Sequence, residues 1–197
     1  DADDYLEPHH LKATLAAFGE NLAGAREWDV VFTRHLVDDE QGGRREIAPP
    51  ELQGADAIIR YFITGHFTPP CGTIWSTEFV RAIGGWREDV RRHQDAEIVY
   101  RALAAGARAR TWPHGGGVYF QHGGPARISG RLDPATVASC MDVFELVAGY
   151  FAEREARCAS WGELRGLWAY SLYRLAARSG DRASIARAEA IWRRAGD

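Results

Sequence analysis

Lysine is nearly missing from this chain. Among 24 basic residues in a length of 197, Lys12 is the only lysine, a bias from which no function follows. Cysteine occurs three times, at Cys71, Cys140 and Cys158, and never as a CxxC pair. That spacing provides neither a zinc cage nor a disulfide framework, and it fits a reducing, cytoplasmic setting. No uninterrupted apolar run reaches the roughly 18 residues of a membrane-spanning helix, and no signal peptide is visible, so no transmembrane segment is expected. The formal net charge of −3 lacks the positive excess that would argue for nucleic acid or an anionic membrane as a main partner.

What is present is an ordinary globular composition, 46% hydrophobic and 26% charged. The pattern changes character along its length. Glu7 to Phe18 reads as a helix opened by Pro8. Trp28 to Leu36 is β-branched and aromatic and predicts a strand, with a turn after it and a return strand over Arg44 to Ile47. Ala55 to Thr64 predicts a short helix, and Cys71 to Trp75 a short strand. Ser76 caps a helix over Thr77 to Ile83. Gly84-Gly85 ends it, and a further helix runs from Asp95 to Ala105. Ala107 to Trp112 and Val118 to Gln121 read as two strands, separated at Pro113 by a flexible Gly115-Gly116-Gly117 turn. From Asp133 onward only helical spacing is found, in a segment opened by Asp133-Pro134 and in two more over Trp161 to Arg178 and Ser184 to Arg194. The fold class expected is therefore α/β over the first 130 residues, followed by a helical tail.

Three clusters could carry chemistry. Asp1, Asp3 and Asp4 place carboxylates where two could share one hard cation, although, taken alone, a solvated acidic terminus is the simpler explanation. Asp95, in the segment His93-Gln94-Asp95-Ala96-Glu97, stands at a helix N-terminus, where a carboxylate could accept a proton from a hydroxyl or merely cap the helix. Glu97 and Arg101 have the spacing of a helix ion pair, expected at the surface. His122, Arg127 and Ser129 share a loop; histidine can complete a metal site and arginine can grip a diphosphate. His9, His10, His35, His66 and His114 have no evident ligand partners and read as structural or exposed. Trp161, Trp168, Tyr170, Tyr173 and Trp192 make the tail aromatic, which a packed core explains and an exposed partner surface would also explain.

Taken in order, DADDYLEP (Asp1 to Pro8), IGGWRED (Ile83 to Asp89), HQDAEIVYRALAAG (His93 to Gly106) and HGGPARIS (His122 to Ser129) resemble the family 2 glycosyltransferases of the GT-A fold. The resemblance covers residues 1–130 and leaves residues 131–197 as a helical extension. It implies transfer of a sugar, with inversion, from a nucleotide-diphosphate sugar to a hydroxyl of a glycan, lipid-linked or protein acceptor. Asp1, Asp3 and Arg127 would bind the donor, Asp3 with His122 would hold Mn²⁺ or Mg²⁺, and Asp95 would be the general base. Thr73, Trp75, Gly85, Trp86 and Gln94 would lie on the acceptor side. Gln94 stands where relatives usually carry an acid. The nucleotide-binding βαβ units that precede the DxD in relatives are not in this chain, so it is expected to be the catalytic-side portion of such an enzyme or a truncated, non-catalytic interaction module. A cytoplasmic location, or a peripheral one at the inner face of the membrane, follows from the same resemblance. A simple calcium-type site is disfavoured, because DADD lacks the loop and closing glutamate of an EF-hand.

Overall fold

The structure, a computed structural model, describes residues 4–17, 27–63, 65–66, 68–123, 132–152 and 160–196. It is a mixed α/β protein with a mixed sheet and a helical tail. The strands are β1 (Tyr5–Leu6), β2 (Val30–Asp39), β3 (Arg44–Ile47), β4 (Thr73–Trp75) and β5 (Ala109–Gln121). The helices are α1 (His10–Ala17), α2 (Ala55–Ile63), α3 (Thr77–Ala82), α4 (Gln94–Ala104), α5 (Pro134–Ala152), α6 (Trp161–Ser179) and α7 (Arg182–Gly196), with a 3-10 turn at Pro70–Gly72.

β2 is the spine. It runs parallel to β5 along one edge, and its other edge is shared by β4 over Val30–Phe32 and by β3 over His35–Asp38, both antiparallel. β1 pairs antiparallel with the far edge of β5, Tyr5 opposite Val118. Burial explains why β2 reads as a nearly continuous apolar run: Val30, Val31 and Phe32 are fully covered on both faces.

β5 differs from the two strands and flexible turn that its sequence predicts. It is one strand with a bulge, since a step of two positions on β2 (Thr33 to His35) is matched by a step of five on β5 (Trp112 to Gly117). The three glycines are there for lack of space rather than for freedom of movement. A Cβ on Gly117 would lie 2.3 Å from the Cys71 carbonyl oxygen, and one on Gly115 2.7 Å from that of Arg34. The bulge also anchors the N-terminal segment: Glu7 N–H donates to Gly116 O at 2.7 Å, and Gly116 N–H donates to His10 Nδ1 at 3.0 Å. The short β1, absent from the sequence reading, exists because β5 offers it a free edge.

Helix limits follow their caps. Ser76 Oγ accepts the Phe79 N–H at 3.3 Å, as its position predicts, and Asp133 Oδ1 accepts that of Thr136 at 2.9 Å. α4 starts one residue earlier than expected, after His93 in a left-handed conformation (φ 64°). The boundary expected near residue 130 falls outside the described residues. On either side of it one core is shared: Val143, Val147 and Phe151 of α5 and Trp161 and Leu164 of α6 pack with Ile58 and Ile59 of α2, Tyr100 and Leu103 of α4 and Phe32 of β2. A second cluster joins α5, α6 and α7 through Met141, Phe144, Leu172 and Ile191. α5 is long and apolar enough, by length and composition, to cross a membrane. Asp142 and Glu145 interrupt its apolar run, and its buried apolar residues belong to these two clusters.

Candidate active site

The pairing of β4 with β2 brings Thr73 opposite Phe32 and Trp75 opposite Val30. Thr73 is fixed by its hydroxyl, which donates to Pro69 O at 3.1 Å. The chain then runs through α3 into Gly84 (φ 88°) and Gly85 (φ 68°), both left-handed, the conformation that glycine adopts without strain. This turn delivers Trp86 against Trp75, their rings 6.2 Å apart and nearly perpendicular at 76°. From the far side α4 brings Asp95 in its first turn, and Trp86 Nε1–H donates to Asp95 Oδ1 across 3.4 Å.

The result is a cavity of about 240 Å³ whose walls include Phe32, Phe62, Thr73, Trp75, Trp86 and Asp95. Four of the residues that the sequence assigns to the base and the acceptor side therefore line one space. Asp95 is half-buried, and its carboxylate faces a largely aromatic wall.

The turn is held by an arginine. Arg101 donates to both oxygens of Glu97, from Nε at 2.8 Å and Nη2 at 3.0 Å, to Gly85 O at 2.6 Å, and to Ile83 O. Glu97 has no exposed surface and also accepts from the Tyr150 hydroxyl at 2.7 Å. This corrects the surface pair expected from the i,i+4 spacing: the same two residues form an interior clamp that joins the glycine turn, α4 and α5. Spacing along a helix predicts the pair, whereas the depth depends on what packs over it. Gly85 accordingly acts through its carbonyl, and Gln94 opens α4 outside the described lining of the cavity.

The remaining predicted groups gather elsewhere or lie outside the description. Asp1, Asp3, Arg127 and Ser129 are among the residues not described. His122 directly follows β5 and is half-buried. Asp4 is held to the same strand, its Oδ1 accepting at 3.1 Å the N–H of Phe120, two residues before His122. Among the described residues no group of three His, Cys, Asp or Glu side chains converges as a metal site. Burial first and the Asp4 carboxylate second push the thiol of the half-buried Cys71 up to about 12, away from the thiolate that a nucleophile needs.

The cavity also has walls that the sequence reading does not single out. Phe32, Phe62 and Tyr100 read only as parts of a strand or a helix, and His66 as structural or exposed. His66 is exposed, in keeping with that reading, and its ring, 4.2 Å from that of Tyr61, also lines the cavity. Nothing local to these residues marks them; they meet only through the β2–β4 pairing and the packing of α2 and α4.

Neither a protein-family model nor a curated protein matches the chain.

Proposed function

We propose that this chain is the catalytic, acceptor-side portion of a GT-A-type inverting glycosyltransferase. It would transfer a sugar from a nucleotide-diphosphate donor to a hydroxyl of a glycan, lipid-linked or protein acceptor, as in polysaccharide assembly on the cytoplasmic side. The observation that supports this reading is the convergence of Thr73, Trp75, Trp86 and Asp95 on one cavity, with Asp95 the carboxylate beside the aromatic walls.

In this mechanism the acceptor hydroxyl sits in the cavity with its apolar ring or chain against Trp75 and Trp86. Asp95 takes the hydroxyl proton as the oxygen attacks the anomeric carbon from the face opposite the departing nucleoside diphosphate, so the configuration inverts. Trp86 orients the carboxylate through its indole N–H, and Arg101 holds Trp86 in reach by gripping the Gly85 carbonyl. Asp1, Asp3 and Arg127 would meet the donor. Mn²⁺ or Mg²⁺, held by Asp3 and His122, would offset the charge gained by the leaving diphosphate.

Calorimetric titration with UDP, with and without Mn²⁺, tests the donor half: binding that requires the metal supports it, and equal binding with and without the metal removes the metal's role. Asp95→Asn tests the base. We expect turnover to fall about 10²–10⁴-fold with UDP affinity unchanged, and preserved turnover would exclude Asp95 from that role.

A second reading is an interaction module without catalysis. It draws on the tail, where Tyr170 and Trp192 are 43% and 40% exposed and, with Tyr173, form one aromatic cluster on α6 and α7. Trp161, by contrast, is buried. A chain that binds neither donor nor metal yet retains its fold would favour this reading.

A further inference from the structure

A second cavity, of about 540 Å³, opens beyond His66, which lines both spaces. Its floor is the sheet. The register sets Arg45 of β3, Val37 of β2 and Tyr119 of β5 in one row, so the three side chains share a face. His35 lies two residues before Val37, and Gln121 two residues after Tyr119, on that same face. Tyr61 and His66 form the wall above it.

Two of these groups are unspent. His35 is 1% exposed and lines the cavity, yet its Nε2 has no hydrogen-bond partner among the described residues, while Nδ1 lies 3.4 Å from Thr33 O. A buried polar atom left without a partner in a folded protein calls for an explanation, and an absent ligand is one. Arg45 lines the same cavity and forms no ion pair with any described residue, whereas both neighbours on β3 do. Arg44 pairs with Asp38 at 2.7 Å and Glu46 with Arg34 at 2.9 Å. The one carboxylate in the lining, Glu46, is thus already neutralised, and the charge facing the cavity is that of Arg45.

We propose that this cavity binds an oxyanion, a phosphate or carboxylate group, gripped by the Arg45 guanidinium and met by an N–H of His35. A guanidinium presents paired donors that match two oxygens of such a group, and an imidazole nitrogen supplies a third donor from the buried side. Gln121 and Tyr119 complete a lining richer in donors than the aromatic cavity next to it. Burial, the largest influence, and then the neighbouring Arg45 and Arg34 charges hold the His35 ring neutral below the ordinary histidine range. With Nδ1–H facing Thr33 O, the neutral ring leaves Nε2 bare, so the N–H that meets the anion is the one the ring gains as the seated anion raises that value. The inference uses no donor nucleotide and no property of Asp95, so it stands or falls apart from the transferase reading.

The test is nuclear magnetic resonance of the full chain, following the His35 ring nitrogens during titration with inorganic phosphate, with acetate, and with the neutral sugar methyl glucoside. We expect saturable shifts with phosphate or acetate, the stronger of the two identifying the anion, and an upward displacement of the His35 titration on saturation. Arg45→Ala should weaken that binding at least tenfold, and Arg45→Lys should restore part of it. Arg45 is exposed on a short strand, so both variants keep the fold. The proposal is overturned if neither anion shifts His35, if Arg45→Ala binds as tightly as the parent, or if methyl glucoside alone produces the shifts.

Discussion

Arg101 and Arg187 each tie helices together, one inside the molecule and the other on its surface. Arg101 forms its bidentate bond with a glutamate that has no exposed surface and spends its remaining donors on the carbonyls of Ile83 and Gly85. Arg187 bridges α7 to α5 through Asp142 at 2.7 Å and Glu145 at 2.6 Å, with all three side chains open to water. In the first pair Glu97 is closed to water and Arg101 largely so, and neither has a ready substitute for its partner; the second can exchange either partner for solvent. The difference teaches where structure depends on charge in this protein. Around Asp95, ionic bonds decide the shape of the turn. In the tail, apolar packing decides it, and the ions decorate a contact already made.

The largest effect is expected where the two regions share a core. Trp161 is 1% exposed and stacks on Phe151 at 4.5 Å, within the same cluster as Phe32 and Leu103. Trp161→Ala removes a large buried ring and should cost about 3–5 kcal/mol, with a fall in Tm of roughly 6–20 °C. Differential scanning calorimetry should still show one transition. Two separate transitions would mean that the tail and the sheet are stable independently and that the shared core does not couple them.

Next is the interior clamp itself. Glu97→Gln keeps the volume of the side chain but leaves the Arg101 charge buried without its counterion, which should cost about 3 kcal/mol. It should also free the Gly85 turn, so Trp75 and Trp86 fluorescence should change in a variant that remains folded. A loss below about 1 kcal/mol with unaltered fluorescence would place this pair in the same category as Arg187.

The clamp also shows how far the sequence could be read. Local chemistry was legible where one residue decides it: Ser76 and Asp133 cap their helices as expected, and β3 keeps its expected limits over Arg44–Ile47. The gathering of Thr73, Trp75, Trp86 and Asp95 follows from the order of motifs through the resemblance, since spacing alone leaves Asp95 as a simple cap. The depth of Glu97 was not legible, because it depends on Tyr150, far away along the chain. The three glycines of β5 misled for the same reason. Their small size answers to the Cys71 and Arg34 backbones and to Glu7, contacts that only the folded sheet creates. His35 and His66 likewise acquire neighbours from β3, β5 and α2 that their own surroundings in sequence do not announce.

The smallest effect tests the surface side of the comparison. Arg187→Ala removes two ion pairs at once, yet each partner remains hydrated: the Asp142 and Glu145 side chains are 59% and 43% exposed, and Arg194 stays within 3.2 Å of Glu145. Beneath them Met141, Phe144, Ala188 and Ile191 keep α5 and α7 packed without any charge. The expected loss is about 0.5–1 kcal/mol at low salt, shrinking toward zero as ionic strength rises. Denaturant titrations at low and high salt measure both quantities. A loss of about 3 kcal/mol that persists at high salt would mean that the α5–α7 contact depends on its ions as the Gly85 turn does, and that apolar packing does not set the tail.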